Sequence, residues 1–279
     1  MPSTLIQERT EARPNARQEA AGKVKGVGSG RRWATWARGA TGVVVLGLVW
    51  EFLPRLGLVN PYFLPPLHTV LGALWTMIKD GELEKHLKAS LYRSLVGFGL
   101  AIVTAIPTGA AIAWYRPVRE LLQPVLEIIR NTAALAVLPV FTLILGIGET
   151  SKIAIVLYAC FFPILLSTIT GVATVDPQLL RSARVLNLSP VQTFRKVVFP
   201  AALPTIFTGI RMSGAAAILV LIAAEMIGAN AGLGYLINYA QYNFLIPKMY
   251  AGILTTAALG VALNYVLIGI ERRLSRWRT

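Results

Sequence analysis

Six apolar stretches dominate this chain, and they restrict it to folds that can live in a lipid bilayer. A crossing needs about 20 mostly apolar residues, wound as a helix so that the backbone satisfies itself in hydrocarbon. The stretches are 37–53, 89–114, 135–147, 153–175, 201–229 and 250–270. The third is short and needs preceding residues to reach full length. Composition agrees: 55% of the 279 residues are hydrophobic and 14% charged, against about 45–50% and about 25% in a soluble domain. The expected fold is an all-α integral membrane protein of about six transmembrane helices.

The net charge of +14 would suggest nucleic acid in a soluble protein. Here its distribution explains it. Six spans with a cytoplasmic N-terminus place nineteen Lys and Arg inside and six outside, while Arg93 and Arg211 fall within spans. That asymmetry fixes both termini in the cytoplasm by the positive-inside rule and leaves no need for a nucleic-acid partner. The first 30 residues hold no apolar signal core. The expected organisation is a polar cytoplasmic tail (1–35), a first span with an outer amphipathic helix (36–85), a membrane core (86–271) and a cytoplasmic C-terminal tail (272–279).

Two connections carry helical spacing. Leu67, Val70, Leu71, Leu74 and Ile78 predict a helix along the outer surface, and 117–130 reads as a short interfacial helix. The loop between the fourth and fifth spans, 176–200, is too polar to cross and too apolar to be slack. Asp176 and Pro177 suit a helix start. Leu179, Leu180, Ala183 and Leu186 form an apolar stripe, and Asn187 can end the helix in the left-handed conformation. Ser189-Pro190 starts a second helix whose apolar face continues through Val191, Phe194, Val197 and Val198, and Pro200 and Pro204 are expected to stop it. Arg181, Arg184, Arg195 and Lys196 lie among these positions. The residues leave two readings open: an element resting on lipid headgroups, or a docking knob for a cytoplasmic partner.

The segment resembles the cytoplasmic motif of permease subunits of binding-protein-dependent ABC importers. That motif runs Glu-Ala-Ala, three residues, Gly, nine residues, Ile, one residue, Leu-Pro. Its spacing is kept here by Arg181-Ser182-Ala183, Asn187, Val197 and Phe199-Pro200. Arg181 replaces the usual Glu, Ser182 the usual Ala and Asn187 the usual Gly. Blocks at 90–99, 129–139, 145–152, 207–211 and 223–234 resemble the aliphatic sulfonate, taurine and nitrate branch, so the resemblance covers roughly 60–275.

The resemblance implies a type I ABC importer transmembrane domain in a bacterial inner membrane. It implies a second permease copy, two ATPase subunits that carry the ATP and Mg, and a periplasmic or lipid-anchored binding protein. The coupling residues would be Leu180, Arg181, Ser182, Ala183, Leu186, Asn187, Ser189, Phe194 and Pro200. The substrate implied is a small organic anion, alkanesulfonate ahead of taurine and nitrate. The chain itself would hold no cofactor and no ATPase: no Walker motif occurs, and 146–152 lacks phosphate-loop spacing and reads as a turn.

Other residues frame the alternatives. Arg211 and Glu225 lie in the fifth span, fourteen positions apart, so both can face one side of the helix. Arg211 either snorkels to headgroups or lines the path, and Glu225 is either a hydrogen-bond anchor or part of an outer gate. Arg130 and Asn131 reach either headgroups or the path. Gly209, Ser213 and Ala217 form a small-residue stripe for packing inside the subunit or at a dimer seam. Pro107, Pro139, Pro163 and Pro204 can kink their spans. An ion-driven transporter is the competing class, but it needs intramembrane carboxylates and often inverted repeats. Glu225 alone lies inside a later span, Glu51 ends the first, and no repeat relates the halves. One cysteine (Cys160) and two separated histidines (His68, His86) give no disulfide or metal pattern.

Overall fold

The computed structural model describes residues 30–274, and side chains from 41 to 273. The expected N-terminal tail (1–35) lies mostly outside these residues, as does the end of the expected C-terminal tail (272–279). Two units are distinct, 1–61 and 62–279. The first contributes α1 (Gly30–Arg55), which contains the expected first span.

The second unit is a helical bundle, with no strand among the described residues. Its elements are α2 (Leu67–Lys79), α3 (Glu82–Trp114), α4 (Arg116–Asn131), α5 (Ala134–Leu145), α6 (Glu149–Ala173), α7 (Pro177–Val185), α8 (Pro190–Thr193), α9 (Phe199–Glu225), α10 (Leu233–Tyr242) and α11 (Ile246–Leu274). Among the described residues, α3, α6, α9 and α11 are long and apolar enough to cross a bilayer, and α4 with α5, bent by 90°, is so only as a pair.

Close approach defines how α3, α6 and α9 pack. A methyl group on Gly97 would stand 2.8 Å from the Val156 side chain, and one on Gly109 2.9 Å from the Leu165 carbonyl, so α3 and α6 run parallel. A methyl group on Gly209 would stand 2.4 Å from Ser167 Cβ, and one on Gly171 3.1 Å from the Ala202 carbonyl, so α9 runs antiparallel to α6. Ser213 Oγ donates to the Cys160 carbonyl at 3.2 Å, and Ala217 is fully buried. The stripe Gly209–Ser213–Ala217 therefore packs within the subunit, and the dimer-seam reading of it falls. Val156, Cys160, Ile164, Leu165, Ile206 and Leu221 fill the core between these helices.

Because α3 and α6 are parallel, α4 and α5 together must return the chain from one end of the bundle to the other. The expected interfacial helix is thus the first half of a broken span, and this explains the shortness of the third apolar stretch. α4 carries Arg119, Gln123, Glu127 and Arg130 at helical spacing, too polar to be scored as a crossing from sequence.

A second correction concerns prolines. Pro200 and Pro204 do not stop the helix begun at Pro190, which continues to Glu225. A π turn at Phe194–Val198 precedes Pro200, and the Phe199 N–H reaches the Phe194 carbonyl. The wide turn makes room for a ring that has no N–H to give. Pro107, Pro139 and Pro163 also lie inside continuous helices.

We predict that Gly209→Ala destabilises the bundle while Gly99→Ala, which meets nothing within 4 Å, does not. Overpacking a tight core costs about 1–3 kcal/mol. The apparent Tm in detergent should fall by several degrees for the first variant only.

Candidate functional site

All but Arg211 of the candidate site residues fall in three places: a buried polar knot at one end of the bundle, a bend at the opposite end, and a break beside the middle of α6.

The knot is built on α3. His86, Ser90 and Arg93 repeat at i, i+4 and i+7, so they share one face, and all three are buried. They meet the loop 228–234 and the start of α10. Three consecutive backbone N–H groups there find side-chain acceptors: Gly232 on His86 Nδ1 (3.1 Å), Leu233 on Ser90 Oγ (2.8 Å) and Gly234 on Glu225 Oε2 (3.0 Å). The first N–H groups of a helix have no intrahelical partner, and α9 and α3 supply them here. A carboxylate is the favoured group at that terminus.

Glu225 is completely buried. It accepts from Ser90 Oγ at 2.7 Å and from Arg93 Nη1 at 2.6 Å. Arg93 also donates to the Ala231 carbonyl at 2.7 Å and, through Nε and Nη2, to both oxygens of Glu149. Lys152 closes the group by donating to the carbonyls of Gly148 (3.0 Å) and Gly228 (3.1 Å). Two cations and two carboxylates balance, and no described buried side-chain N or O lacks a partner. Gly232 has φ +126, and a methyl group there would stand 2.3 Å from the Glu225 carboxyl carbon, so glycine is required on both counts.

Of this group, sequence reasoning singled out only Glu225. The signal available was the i, i+4, i+7 polar stripe in an otherwise apolar span, which must be satisfied inside the protein. Nor do Arg211 and Glu225 share surroundings. Arg211 is half exposed and lies beside α11, with Nε 3.3 Å from Asn264 Oδ1 and Nη1 3.9 Å from Glu271.

The bend lies at the other end. Asp176 caps α7 by accepting from the Gln178 N–H at 2.8 Å, with Pro177 in the first turn. Asn187 takes φ 49. The Leu188 N–H bonds the Ala183 carbonyl, and the Asn187 N–H bonds that of Arg184, a Schellman turn. Ser189 and Gln192 form a reciprocal capping box over α8. Ala183 faces inward. Leu180, Phe194 and Pro200 are partly covered, and Arg181, Ser182 and Ser189 are exposed. Phe194 packs edge-on against Trp114 at 5.4 Å, so it serves the chain's own packing. The unpartnered apolar groups are Val185 (84% exposed), Leu186 (70%) and Val191 (76%).

The break between α4 and α5 places Arg130 and Asn131 beside Tyr158, Phe162 and Pro163 of α6 and Ala216 and Val220 of α9. Tyr158–Pro163 is the middle of the 25-residue α6, so these polar residues lie beside the midpoint of that helix.

Residues 98–278 match the family model described as "Binding-protein-dependent transport system inner membrane component". A Bacillus subtilis (strain 168) protein bearing the name aliphatic sulfonates transport permease protein SsuC is 35% identical over 249 residues, covering 89% of this chain and 90% of that one. The taurine transport system permease protein TauC of Escherichia coli (strain K12) is 36% identical over 240 residues, covering 84% and 87%. The bundle superposes on the MetNI methionine ABC transporter in an inward-facing conformation with a TM-score of 0.60 at 19% identity, covering 67% of this chain and 93% of that one.

We predict that Arg93→Ala, which leaves Glu225 buried without its cation, costs about 3–5 kcal/mol. Thermal melting in detergent should show a larger fall for Arg93→Ala than for Glu225→Gln, which keeps an acceptor for the Gly234 N–H. Equal stability of Arg93→Ala and wild type would remove the knot from any structural role.

Proposed function

Because this chain belongs to the family of inner membrane components of binding-protein-dependent transport systems, we propose that it is the permease subunit of an ABC importer for a small organic anion, an aliphatic sulfonate first. Two copies form the path. Two ATPase subunits, which carry the ATP and Mg, each receive the segment 176–200. A periplasmic or lipid-anchored binding protein delivers the solute at the knot end. The charge asymmetry of the connections supports placing the bend end and both termini in the cytoplasm.

The observation that carries the docking is the apolar edge Val185, Leu186 and Val191, left exposed on a segment whose other side is packed. Burying such a side chain is worth about 1.5–3 kcal/mol. A helix that merely rests on headgroups needs no fixed bend. Here a Schellman turn and a capping box set the angle between two short helices, as a rigid knob in a groove requires. Arg181 stands where the importer permease motif it resembles usually has Glu, so the groove that meets it is expected to offer the opposite charge.

The sulfonate reading is supported by the relatives bearing sulfonate and taurine transport names. Glu225 is held by three donors inside the knot, the Ser90 hydroxyl, the Arg93 guanidinium and the Gly234 N–H, which favours scaffold over ligand contact for that carboxylate.

Two outcomes are expected. Leu186→Asp with Val191→Asp removes the ATPase subunit from the affinity-purified permease while the permease stays monodisperse; full retention of the ATPase would sink the docking surface. A deletion strain grows normally on sulfate and fails on ethanesulfonate until the gene is restored. Normal growth of the deletion strain on ethanesulfonate, taurine and nitrate, with no redundant system present, would remove the substrate reading.

A further inference from the structure

We propose that Arg130 is the mid-depth contact for the oxyanion group of the transported solute, with Asn131 beside it. The inference rests on the importer reading above and names a residue within the path.

Arg130 borders two cavities at once. One, of about 260 Å³, is walled by Asn131, Thr132, Tyr158, Phe162 and Val220. The other, of about 380 Å³, runs from there toward the bend end along the polar side of α4, past Glu127, Gln123 and Arg119, with Thr170 and Thr174 opposite. Arg130 and Asn131 are both exposed in the single chain. Neither side chain has a hydrogen bond or ion pair with the described residues. This sets Arg130 apart from Arg93, which is fully engaged, and from Arg211, which has partners on α11.

Depth makes that freedom informative. An ionised guanidinium at the middle of a bilayer is not stable against acyl chains. Arg130 lies level with Tyr158–Pro163, the midpoint of α6, too deep for headgroups. Its exposed side must meet water or another polar group. A bent crossing is tolerated at that depth where it lines a cavity. The helix break at 132–133 therefore points to the same aqueous space.

The chemistry then follows. A guanidinium offers a planar fork of donors that matches two oxygens of a sulfonate, carboxylate or phosphate, and the Asn131 amide adds another donor. Tyr158 and Phe162 give an apolar wall on which a short alkyl group can rest. The first cavity suits a solute smaller than a drug-sized ligand. Glu127, on the same face of α4 one turn toward the bend end, repels an anion and favours its transfer to Arg130 or release past it.

The test uses the complete transporter, with its ATPase and binding protein, in proteoliposomes, and reads uptake of labelled ethanesulfonate. Arg130→Gln should lower uptake about ten- to hundredfold, the loss expected for one charge-assisted hydrogen-bonding partner. Assembly with the ATPase should be unchanged, and Arg130→Lys should retain more uptake than Arg130→Gln. A second arm places the chain's one cysteine at the site. In a Cys160→Ser background, Arg130→Cys should react with the impermeant anionic reagent 2-sulfonatoethyl methanethiosulfonate, and ethanesulfonate should slow that reaction. Wild-type uptake by Arg130→Gln, or no labelling in any nucleotide state, overturns the proposal and leaves the sulfonate importer standing. Loss of subunit assembly in Arg130→Gln also overturns it, by making Arg130 a contact between subunits. Uptake of neutral solutes but no anion by the wild type would overturn this proposal and the substrate reading together.

Discussion

One arginine between two carboxylates organises this bundle. Arg93 belongs to α3, Glu149 opens α6, and Glu225 closes α9, so a single side chain ties three crossings at one end. The arrangement is stable in an apolar surrounding because every group in it is answered: Lys152 balances the second carboxylate, and backbone carbonyls and N–H groups take up the remaining valences. Buried ion pairs often contribute little net stability over apolar packing, since desolvation offsets attraction. Their value here is geometric. The knot fixes which face of each helix turns inward, and the glycine contacts at Gly97, Gly109 and Gly209 then lie in register along the rest of the bundle.

The polar knot and the glycine seam divide the work of association in lipid. Apolar side chains gain little by leaving acyl chains for each other, so helices there associate through close fit and hydrogen bonds. α6 meets both conditions: it lies in the centre, with a glycine of α3 against it on one side and a glycine of α9 on the other.

Much of this architecture was legible in the sequence because the signals were local. The helix Leu67–Lys79 and the helix–bend–helix at 176–200 were readable from apolar spacing and from cap residues such as Asp176, Asn187 and Ser189. What was hidden was either non-local or concealed by polarity. Arg93 and Glu225 are 132 positions apart, and nothing in the neighbourhood of either names its partner. The half-crossing α4 looked interfacial because its polar face turns to a cavity. Pro200 looked like a stop because a π turn cannot be read from spacing. The short helix α10 passed unnoticed, since its start is held by side chains of α3 and α9 that lie far away in the chain. The sequence stripe Gly209–Ser213–Ala217 announced a close contact but not its partner, and the structure assigns it to α6.

The uninterrupted run from Pro190 to Glu225 has a mechanical meaning. Thirty-six residues at 1.5 Å each make a rod about 54 Å long. One end of it carries the exposed edge beside Asn187, and the other carries the carboxylate that Arg93 grips. A rigid rod transmits rotation as well as thrust, so a twist imposed near Val191 arrives at Glu225 as a twist of the same hand. The wide turn at Phe194–Val198 and Pro204 interrupt the regular ladder of helical hydrogen bonds, and both lie in the half of the rod nearer Val191. The chain thereby joins its two extremities by a single shaft with its compliant coupling at one end.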